Sequence, residues 1–232
     1  MCPLQRAPGR SRLLFAVLGC LLAPAVSSGA AIVLIGDSIT QGRVAGGGVS
    51  FADHLQALRP DDQIRNAGCA GSTTADWTRP VLEPQSCTIA GAYLLNAKPQ
   101  MPADLAIIML GANDATGYYE ANPIEPSAYR ENLEQLIRVA LSDVGRVVLL
   151  TPTLNPVAKE AERLRLVAYR SAVLSLCGSL GRVLCGPDIQ KIVSGPSQDL
   201  AELHPSELGH RRIAQQLDDF LTELSPVPVA PR

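Results

Sequence analysis

The chain has 232 residues, of which 47% are hydrophobic and 18% charged, with 20 Lys and Arg residues against 22 Asp and Glu residues. The hydrophobic fraction is sufficient for a buried core, and the low charged fraction excludes an intrinsically disordered polyelectrolyte. Because the formal net charge is only −2, there is no broad basic surface, and the composition argues against a nucleic-acid-binding protein.

Residues 1–30 have the layout of a secretory signal peptide. Three arginines precede an apolar run over residues 13–26, small residues follow the run, and we expect cleavage near Ser28 or Ala30. The run is too short to cross a bilayer as a helix, and Pro24 interrupts it. It also continues past Cys20, which argues against a lipoprotein anchor there. We therefore expect a secreted or periplasmic protein with 17 basic against 22 acidic residues, a net charge of about −5.

Short apolar runs alternate with segments of helical periodicity along the rest of the chain. The predicted strands are 31–36, 63–67, 105–110, 147–151 and 182–185, and the clearest predicted helices are 127–143, 156–180 and a last one from Pro205. Several strand segments are apolar throughout, which is typical of strands covered on both faces. We therefore predict one α/β domain over residues 31–224, with a mostly parallel five-stranded sheet between helices. A Pro-rich tail, 225–232, follows it.

Each of these helices has apolar residues spaced by three and four positions, which predicts the face that it buries. In the first helix they are Tyr129, Leu133, Leu136, Ile137, Ala140 and Leu141. In the second they are Ala161, Leu164, Ala168 and Leu174. In the last they are Ile213, Leu217, Phe220 and Leu221.

Four cysteines follow the predicted signal peptide: Cys69, Cys87, Cys177 and Cys185. An even number in an oxidising compartment favours disulfides over metal ligation. Four cysteines allow three pairings, and our hypothesis is the local one, Cys69–Cys87 and Cys177–Cys185.

Ligands of parallel α/β sheets bind beyond the carboxyl ends of the strands, and Ser38 directly follows the first strand. A serine nucleophile needs a base, normally a histidine. Of the three histidines, His54 lies in an apolar helical segment and is interpreted as structural, and His210 lies in the last helix as a surface or packing residue. His204, in the loop before that helix, can reach over the sheet to Ser38.

Two further strand ends carry groups suited to an oxyanion. Gly68 and Gly71 follow the second strand, and a glycine there can bring its N–H close to a substrate. Asn113 follows the third strand, and its amide can donate to the same oxygen. The neighbouring acids Asp37 and Asp114 are interpreted as scaffolding that holds these turns.

These segments resemble the four ordered blocks of the SGNH (GDSL-type) hydrolases, from residue 36 to residue 210. The blocks are Gly36-Asp37-Ser38, Asn66 to Gly71, Gly111-Ala112-Asn113-Asp114 and His204-Pro205. The resemblance implies a three-layer flavodoxin-like sandwich and ester hydrolysis through a serine acyl-enzyme. It implies Ser38 as the nucleophile and His204 as the general base. It also implies an oxyanion hole made by Ser38, Gly71 and Asn113, with Gly71 favoured over Gly68 because Ser72-Thr73 follows it.

The chain departs from the family at one position. The family usually has an Asp three residues before the histidine, where this chain has Ala201. The group that orients His204 is then Asp199, if the loop bulges by two residues, or Glu202, or the Ala201 carbonyl. We favour Asp199 as the third catalytic residue.

The expected protein is a monomeric, secreted serine esterase that acts on small-molecule or polysaccharide acyl esters without a metal or cofactor. The alternatives are a polysaccharide deacetylase (acetyl esterase), a lysophospholipase, or a non-catalytic carbohydrate- or lipid-binding module, which the absence of Asp at position 201 motivates. Trp77, Tyr118 and Tyr119 either line a substrate cleft or pack between helices.

Overall fold

The computed structural model describes residues 29–79, 92–117, 122–154, 158–193, 200–201 and 204–224. Within these residues, five strands form one sheet in which every neighbouring pair is parallel, in the order β2-β1-β3-β4-β5. They are β1 (Ala31–Gly36), β2 (Gln63–Asn66), β3 (Ala103–Met109), β4 (Val144–Leu149) and β5 (Val183–Cys185). The predicted α/β fold with a five-stranded sheet is confirmed, and the strand bounds differ from the predicted ones by at most three residues.

Helices connect these strands on both faces of the sheet. They are α1 (Ser38–Gln41), α2 (Phe51–Leu58), α3 (Thr74–Thr78), α4 (Ala112–Thr116), α5 (Pro126–Ala140), α6 (Glu160–Leu176), α7 (Ile189–Val193) and α8 (Glu207–Glu223). A π-helical turn, Tyr93–Ala97, and a 3-10 turn, Lys98–Gln100, precede β3. Before α8, β6 (Leu200–Ala201) and β7 (His204–Pro205) form a small antiparallel pair.

The core lies in two layers because the side chains of a strand alternate between its faces. In β1, Val33 and Ile35 join the cluster under α3, α5 and α6, whereas Ile32 and Leu34 join the cluster under α2, α7 and α8. All six residues of β1 are buried. The chain thus forms the three-layer sandwich that its uninterrupted apolar strands predict.

The last helix begins later than predicted. Pro205 belongs to β7, and the helix starts at Glu207, with the Ser206 hydroxyl accepting a hydrogen bond from the Gly209 N–H as its cap. The prediction placed Pro205 at the first helical position, but its pairing with Leu200 holds it in an extended conformation. Ile213, Leu217 and Leu221 are buried as expected, and Phe220 is partly buried.

The predicted buried face of α6 is wrong. Leu164 and Leu174 are exposed, whereas α6 buries another set of residues, one or two positions away. These are Leu166, Tyr169, Val173 and Leu176. The Tyr169 ring stacks on Tyr129 of α5 with ring centroids 4.0 Å apart, so packing against α5 determines which stripe of α6 faces the core.

One predicted disulfide is present: Cys177, at the end of α6, is bonded to Cys185 of β5. Cys69 is also disulfide-bonded, and Cys87, its expected partner, lies outside the described residues, so that pairing stays a prediction. The predicted signal peptide up to residue 28 and the tail 225–232 lie outside them too. None of the described helices has both the length and the hydrophobicity required to cross a bilayer.

Candidate active site

Ser38 lies at the point where β1 ends and α1 begins. Asp37 caps α1, and its carboxylate accepts a hydrogen bond of 2.9 Å from the Ile39 N–H. Ser38 is therefore the first residue of the helix, where a backbone N–H has no intrahelical acceptor. In the order β2-β1-β3, β1 lies at the switch point at which doubly wound sheets bind ligands.

His204 approaches Ser38 from the far end of the chain. It lies in β7, paired with Ala201 of β6, and its side chain is half-buried. Its Nε2 atom is 2.9 Å from the Ser38 Oγ, within hydrogen-bond distance. The structure thus brings together the serine and the histidine that the sequence singles out.

The loop after β2 packs directly against the serine turn. The Asn66 side chain donates from Nδ2 to the Thr40 carbonyl and accepts from the Gly68 N–H. A Cβ on Gly68 would lie 2.3 Å from the Gln41 backbone nitrogen, so a side chain there would displace α1. Gly71, further along, has a φ of 82°, a conformation that favours glycine. The close packing against α1 explains why position 68 is a glycine, and the role of Gly71 in an oxyanion hole stays a prediction.

Asn113, in α4, lies beside this loop. It is almost fully buried, and its Nδ2 donates to the Ser72 carbonyl at 3.1 Å. Asp114 is completely buried, and its carboxylate accepts from the backbone N–H and the hydroxyl of Thr74. These bonds join α4 to the residues that follow Gly71, so Asp114 has the scaffolding position that was predicted.

Two of the buried carboxyls have strongly shifted pKa values. Burial raises the pKa of Asp37 to about 7, although its hydrogen bond from the Ile39 N–H lowers it, and the nearby Asp114 raises it further. Burial likewise raises the pKa of Asp114 to about 7, against the opposing effect of its hydrogen bonds from Thr74. Both acids stabilise turns around the site, and neither has the low pKa of an exposed carboxylate.

Of the two predicted alternatives for His210, a surface or a packing residue, the structure shows the packing one. His210 is completely buried in α8, and burial lowers its pKa to about 4. The signal was present in the helical periodicity, because His210 precedes the buried Ile213 by three residues and Leu217 by seven. His54, in α2, lies outside the Ser38–His204 pair, as predicted.

Several other predicted residues do not enter the described site. Trp77 is a core residue whose indole N–H donates to the Ser72 hydroxyl, so it packs between helices and does not line a cleft. Asp199, Glu202, Tyr118 and Tyr119 lie outside the described residues. The identity of the group that orients His204 therefore stays a prediction. Within the described ranges, no cluster of three or more His, Cys, Asp or Glu residues could hold a metal ion.

Comparison with known proteins gives both a family match and structural relatives. A model of the GDSL-like lipase/acylhydrolase family matches residues 34–212, whereas no curated protein matches the chain. A lipase/acylhydrolase from Enterococcus faecalis superposes with a TM-score of 0.67 at 23% identity, covering 87% of this chain and 100% of that one. An aryl esterase from M. smegmatis superposes with a TM-score of 0.65 at 21% identity, covering 84% and 100%.

A third similar structure is a catalytic mutant of an acetylxylan esterase from Geobacillus stearothermophilus. It has a TM-score of 0.62 and 22% identity, and the alignment covers 88% of this chain and 98% of that one. At such identities the structures establish a shared fold, and the family model confirms the predicted resemblance.

Proposed function

This chain belongs to the GDSL-like lipase/acylhydrolase family of carboxylic ester hydrolases, and from that premise we propose that it cleaves acyl esters through an acyl-enzyme on Ser38. The observation that carries the proposal is the 2.9 Å distance between the Ser38 Oγ and the His204 Nε2. A serine hydroxyl is a weak nucleophile until a base in hydrogen-bond reach removes its proton. This distance supports His204 as that base.

The reaction runs in two stages around these two side chains. As the Ser38 Oγ attacks the ester carbonyl, its proton passes to His204 Nε2, and the imidazolium then gives that proton to the departing alcohol. Water attacks the acyl-enzyme in the second stage and gives a proton to His204, which passes it to the Ser38 Oγ as the carboxylic acid leaves. The steps need no group outside the chain other than water and substrate.

Three hydrogen-bond donors stabilise the negative charge that develops on the substrate oxygen. They are the backbone N–H groups of Ser38 and Gly71 and the side-chain amide of Asn113. The Asn113 Nδ2 carries two hydrogens, of which Ser72 accepts one, so the second is available for the oxyanion. The position of Ser38 as the first residue of α1 supports its N–H as another donor.

The third catalytic residue is proposed from the sequence. Asp199 remains the favoured group to orient His204, with Glu202 and the Ala201 carbonyl as alternatives. Such a group holds the imidazole in one tautomer and stabilises the imidazolium.

A serine-directed fluorophosphonate probe tests the nucleophile. We expect the protein to be labelled and to hydrolyse p-nitrophenyl acetate, and both properties to disappear in Ser38→Ala. The matched control is Ser171→Ala, which removes an exposed serine hydroxyl from α6 and should change neither. A protein that is not labelled and turns over no ester would instead be a binding module.

A second candidate is an acetyl esterase that acts on polysaccharide. The observation that favours it is the structural likeness to an acetylxylan esterase and to a carbohydrate acetylesterase from Sinorhizobium meliloti. A series of p-nitrophenyl esters of increasing acyl length, run beside acetylated xylan, separates the candidates. Release of acetate from xylan with a sharp preference for acetyl over longer esters supports the deacetylase, and long-chain preference supports a lysophospholipase.

Export to an oxidising compartment completes the proposal. The Ala30 N–H donates to the Asp62 carboxylate at 2.8 Å, and this bond supports cleavage after Ser28, which retains Ala30, over cleavage after Ala30. N-terminal sequencing of the exported protein tests this directly. We expect it to begin at Gly29, and a first residue of Met1 would exclude the signal peptide.

A further inference from the structure

The buried imidazole of His210 has both of its nitrogens engaged. Nδ1 accepts a hydrogen bond of 3.0 Å from the Phe51 N–H, at the start of α2. Nε2 lies 3.1 Å from the Arg43 carbonyl oxygen. Because a carbonyl oxygen only accepts, Nε2 must carry the proton. The ring is therefore a neutral imidazole in one defined tautomer, with a donor and an acceptor each matched to one backbone group.

Arg43, which accepts the hydrogen bond from His210, is also bonded to the backbone of the catalytic serine. The Arg43 N–H donates to the Ser38 carbonyl at 2.9 Å. Two residues later, the Ala45 N–H donates to the Pro205 carbonyl at 3.0 Å, and Ala45 also bridges to Ser206. The segment 43–45 thus contacts both the residue that bears the nucleophile and the residue that follows the general base.

His210 is also bonded through its backbone to the residue at the start of its own helix, α8. The backbone N–H of His210 donates to the Ser206 carbonyl at 2.9 Å. The side chain of His210 therefore holds the segment 43–45 from α8, and the first turn of α8 continues from the strand that carries His204. These hydrogen bonds form a closed ring that runs from Ser38 through the segment 43–45 and His210 back to the strand of His204. Apart from the His210 imidazole, the ring consists of backbone groups.

We propose that His210 is a positioning residue for the catalytic pair. Its Nε2–H holds the Arg43 carbonyl, and the segment 43–45 in turn keeps the Ser38 Oγ within hydrogen-bond distance of the His204 Nε2. The inference rests on the proposed roles of those two residues. A reactive pair that is displaced by about 1 Å loses roughly 100-fold in rate. Loss of the bond to Arg43 should therefore reduce turnover even though His210 lies outside the site.

Two amide substitutions divide the roles of the two ring nitrogens. In His210→Asn, the side-chain oxygen takes the position of Nδ1 and keeps the bond from Phe51, but the side chain is too short to reach Arg43. In His210→Gln, the amide nitrogen takes the position of Nε2 and keeps the bond to Arg43, while the acceptor for Phe51 is lost. Each variant removes one hydrogen bond from the same buried site, so a merely structural role predicts the same outcome for both.

The measurement is kcat and KM for p-nitrophenyl acetate, with active sites counted by fluorophosphonate titration so that unfolded molecules do not contribute. We expect His210→Asn to lower kcat by about 10-fold or more and His210→Gln to keep it within about threefold, with KM little changed in both. The rate constant of fluorophosphonate labelling should fall in parallel with kcat, because it depends on the same serine and histidine. Ser171→Ala, which alters an exposed residue of α6, should match the wild type.

A second variant acts at the opposite end of the ring and leaves the core intact. Ala45→Pro removes the N–H that donates to Pro205, and its kcat per titrated site should fall as in His210→Asn. Equal kcat values for the Asn and Gln variants, or a wild-type kcat in Ala45→Pro, would overturn the assignment of His210. Neither result would affect the proposed function, which depends separately on the loss of labelling and turnover in Ser38→Ala.

Discussion

The Oγ of Ser38 and the Nε2 of His204 lie 2.9 Å apart although 166 positions separate the two residues in the chain. The serine is held by the junction of β1 with α1, and the histidine by the short pairing of β6 with β7. Each side chain therefore depends on a different part of the fold. The predictions below test whether the two act together and what surrounds them.

Removal of Ser38 and His204 should not have additive effects. Because the two side chains act in one proton transfer, we expect Ser38→Ala and His204→Ala each to lower kcat by about 10⁴-fold or more. The kcat of the double variant should be no lower than that of the less active single variant. Steady-state kinetics with p-nitrophenyl acetate measures this, and losses that multiply in the double variant would show that the residues act independently.

Substitution of Asn113 tests the side-chain donor of the oxyanion hole. Loss of one such donor typically costs about 3–4 kcal/mol of barrier, so Asn113→Ala should lower kcat by roughly 100-fold or more. KM should change little, because the bond is made to the transition state. Asn113→Asp keeps the shape but replaces the donor by an acceptor, and we expect a larger loss. A variant Asn113→Ala with wild-type kcat would remove this residue from the mechanism.

The orienting residue can be identified by two conservative substitutions. Asp199→Asn should lower kcat by about 10⁴-fold if this carboxylate fixes the His204 tautomer, as it does in serine-protease triads. Glu202→Gln should then have little effect. The reverse pattern would transfer the role to Glu202, and full activity in both variants would leave the Ala201 carbonyl as the orienting group.

The raised pKa of Asp114 predicts an unusual pH dependence of stability. The carboxyl has a pKa of about 7 in the folded protein against 3.8 as its ordinary value. Between these values the native state binds a proton that the unfolded chain lacks, so the contribution of Asp114 to the free energy of unfolding should rise as the pH falls below about 7. Each such proton contributes a slope of up to about 1.4 kcal/mol per pH unit. Because Asp37 also has a pKa of about 7, Asp114→Asn should reduce this slope in denaturant titrations without abolishing it, and an unchanged slope would contradict the raised pKa of Asp114.

The Cys177–Cys185 disulfide should contribute to stability despite the short loop that it closes. The two cysteines are 8 positions apart, and the chain-entropy relation gives about 2.5 kcal/mol for a loop of that size. The double variant Cys177→Ser/Cys185→Ser should therefore have a lower free energy of unfolding by about that amount. Thiol titration of the unfolded wild type without reductant should show neither cysteine free. Two free thiols from these positions would rule the bond out.

Local patterns in the chain were sufficient to predict the type of fold. Uninterrupted apolar strands and helices between them indicate a covered parallel sheet, because only buried strands tolerate apolar residues on both faces. Three of the four motifs follow strands of the parallel sheet, whose carboxyl ends lie at the same edge, so Ser38, Gly71 and Asn113 could be expected there. His204 instead reaches Ser38 from the separate pair of β6 and β7.

Local patterns gave wrong predictions where they were compatible with two structures. Helix α6 has apolar residues on more than one side, and the side that includes Leu164 and Leu174 is exposed. Packing against α5, whose Tyr129 stacks on Tyr169, determines which side of α6 is buried. Pro205 suited a helix start in sequence, but its pairing with Leu200 gave it an extended conformation instead.

The residues that we propose for the chemistry could be named from the sequence, because a nucleophile, a base and oxyanion donors need particular residue types in a particular order. The role of His210 could not be predicted in this way. Its ring meets Arg43 and Phe51, which lie 167 and 159 positions earlier in the chain, and helical periodicity shows only that its side faces inward. Which backbone groups an inward histidine meets depends on how distant segments pack, and only the folded chain defines that.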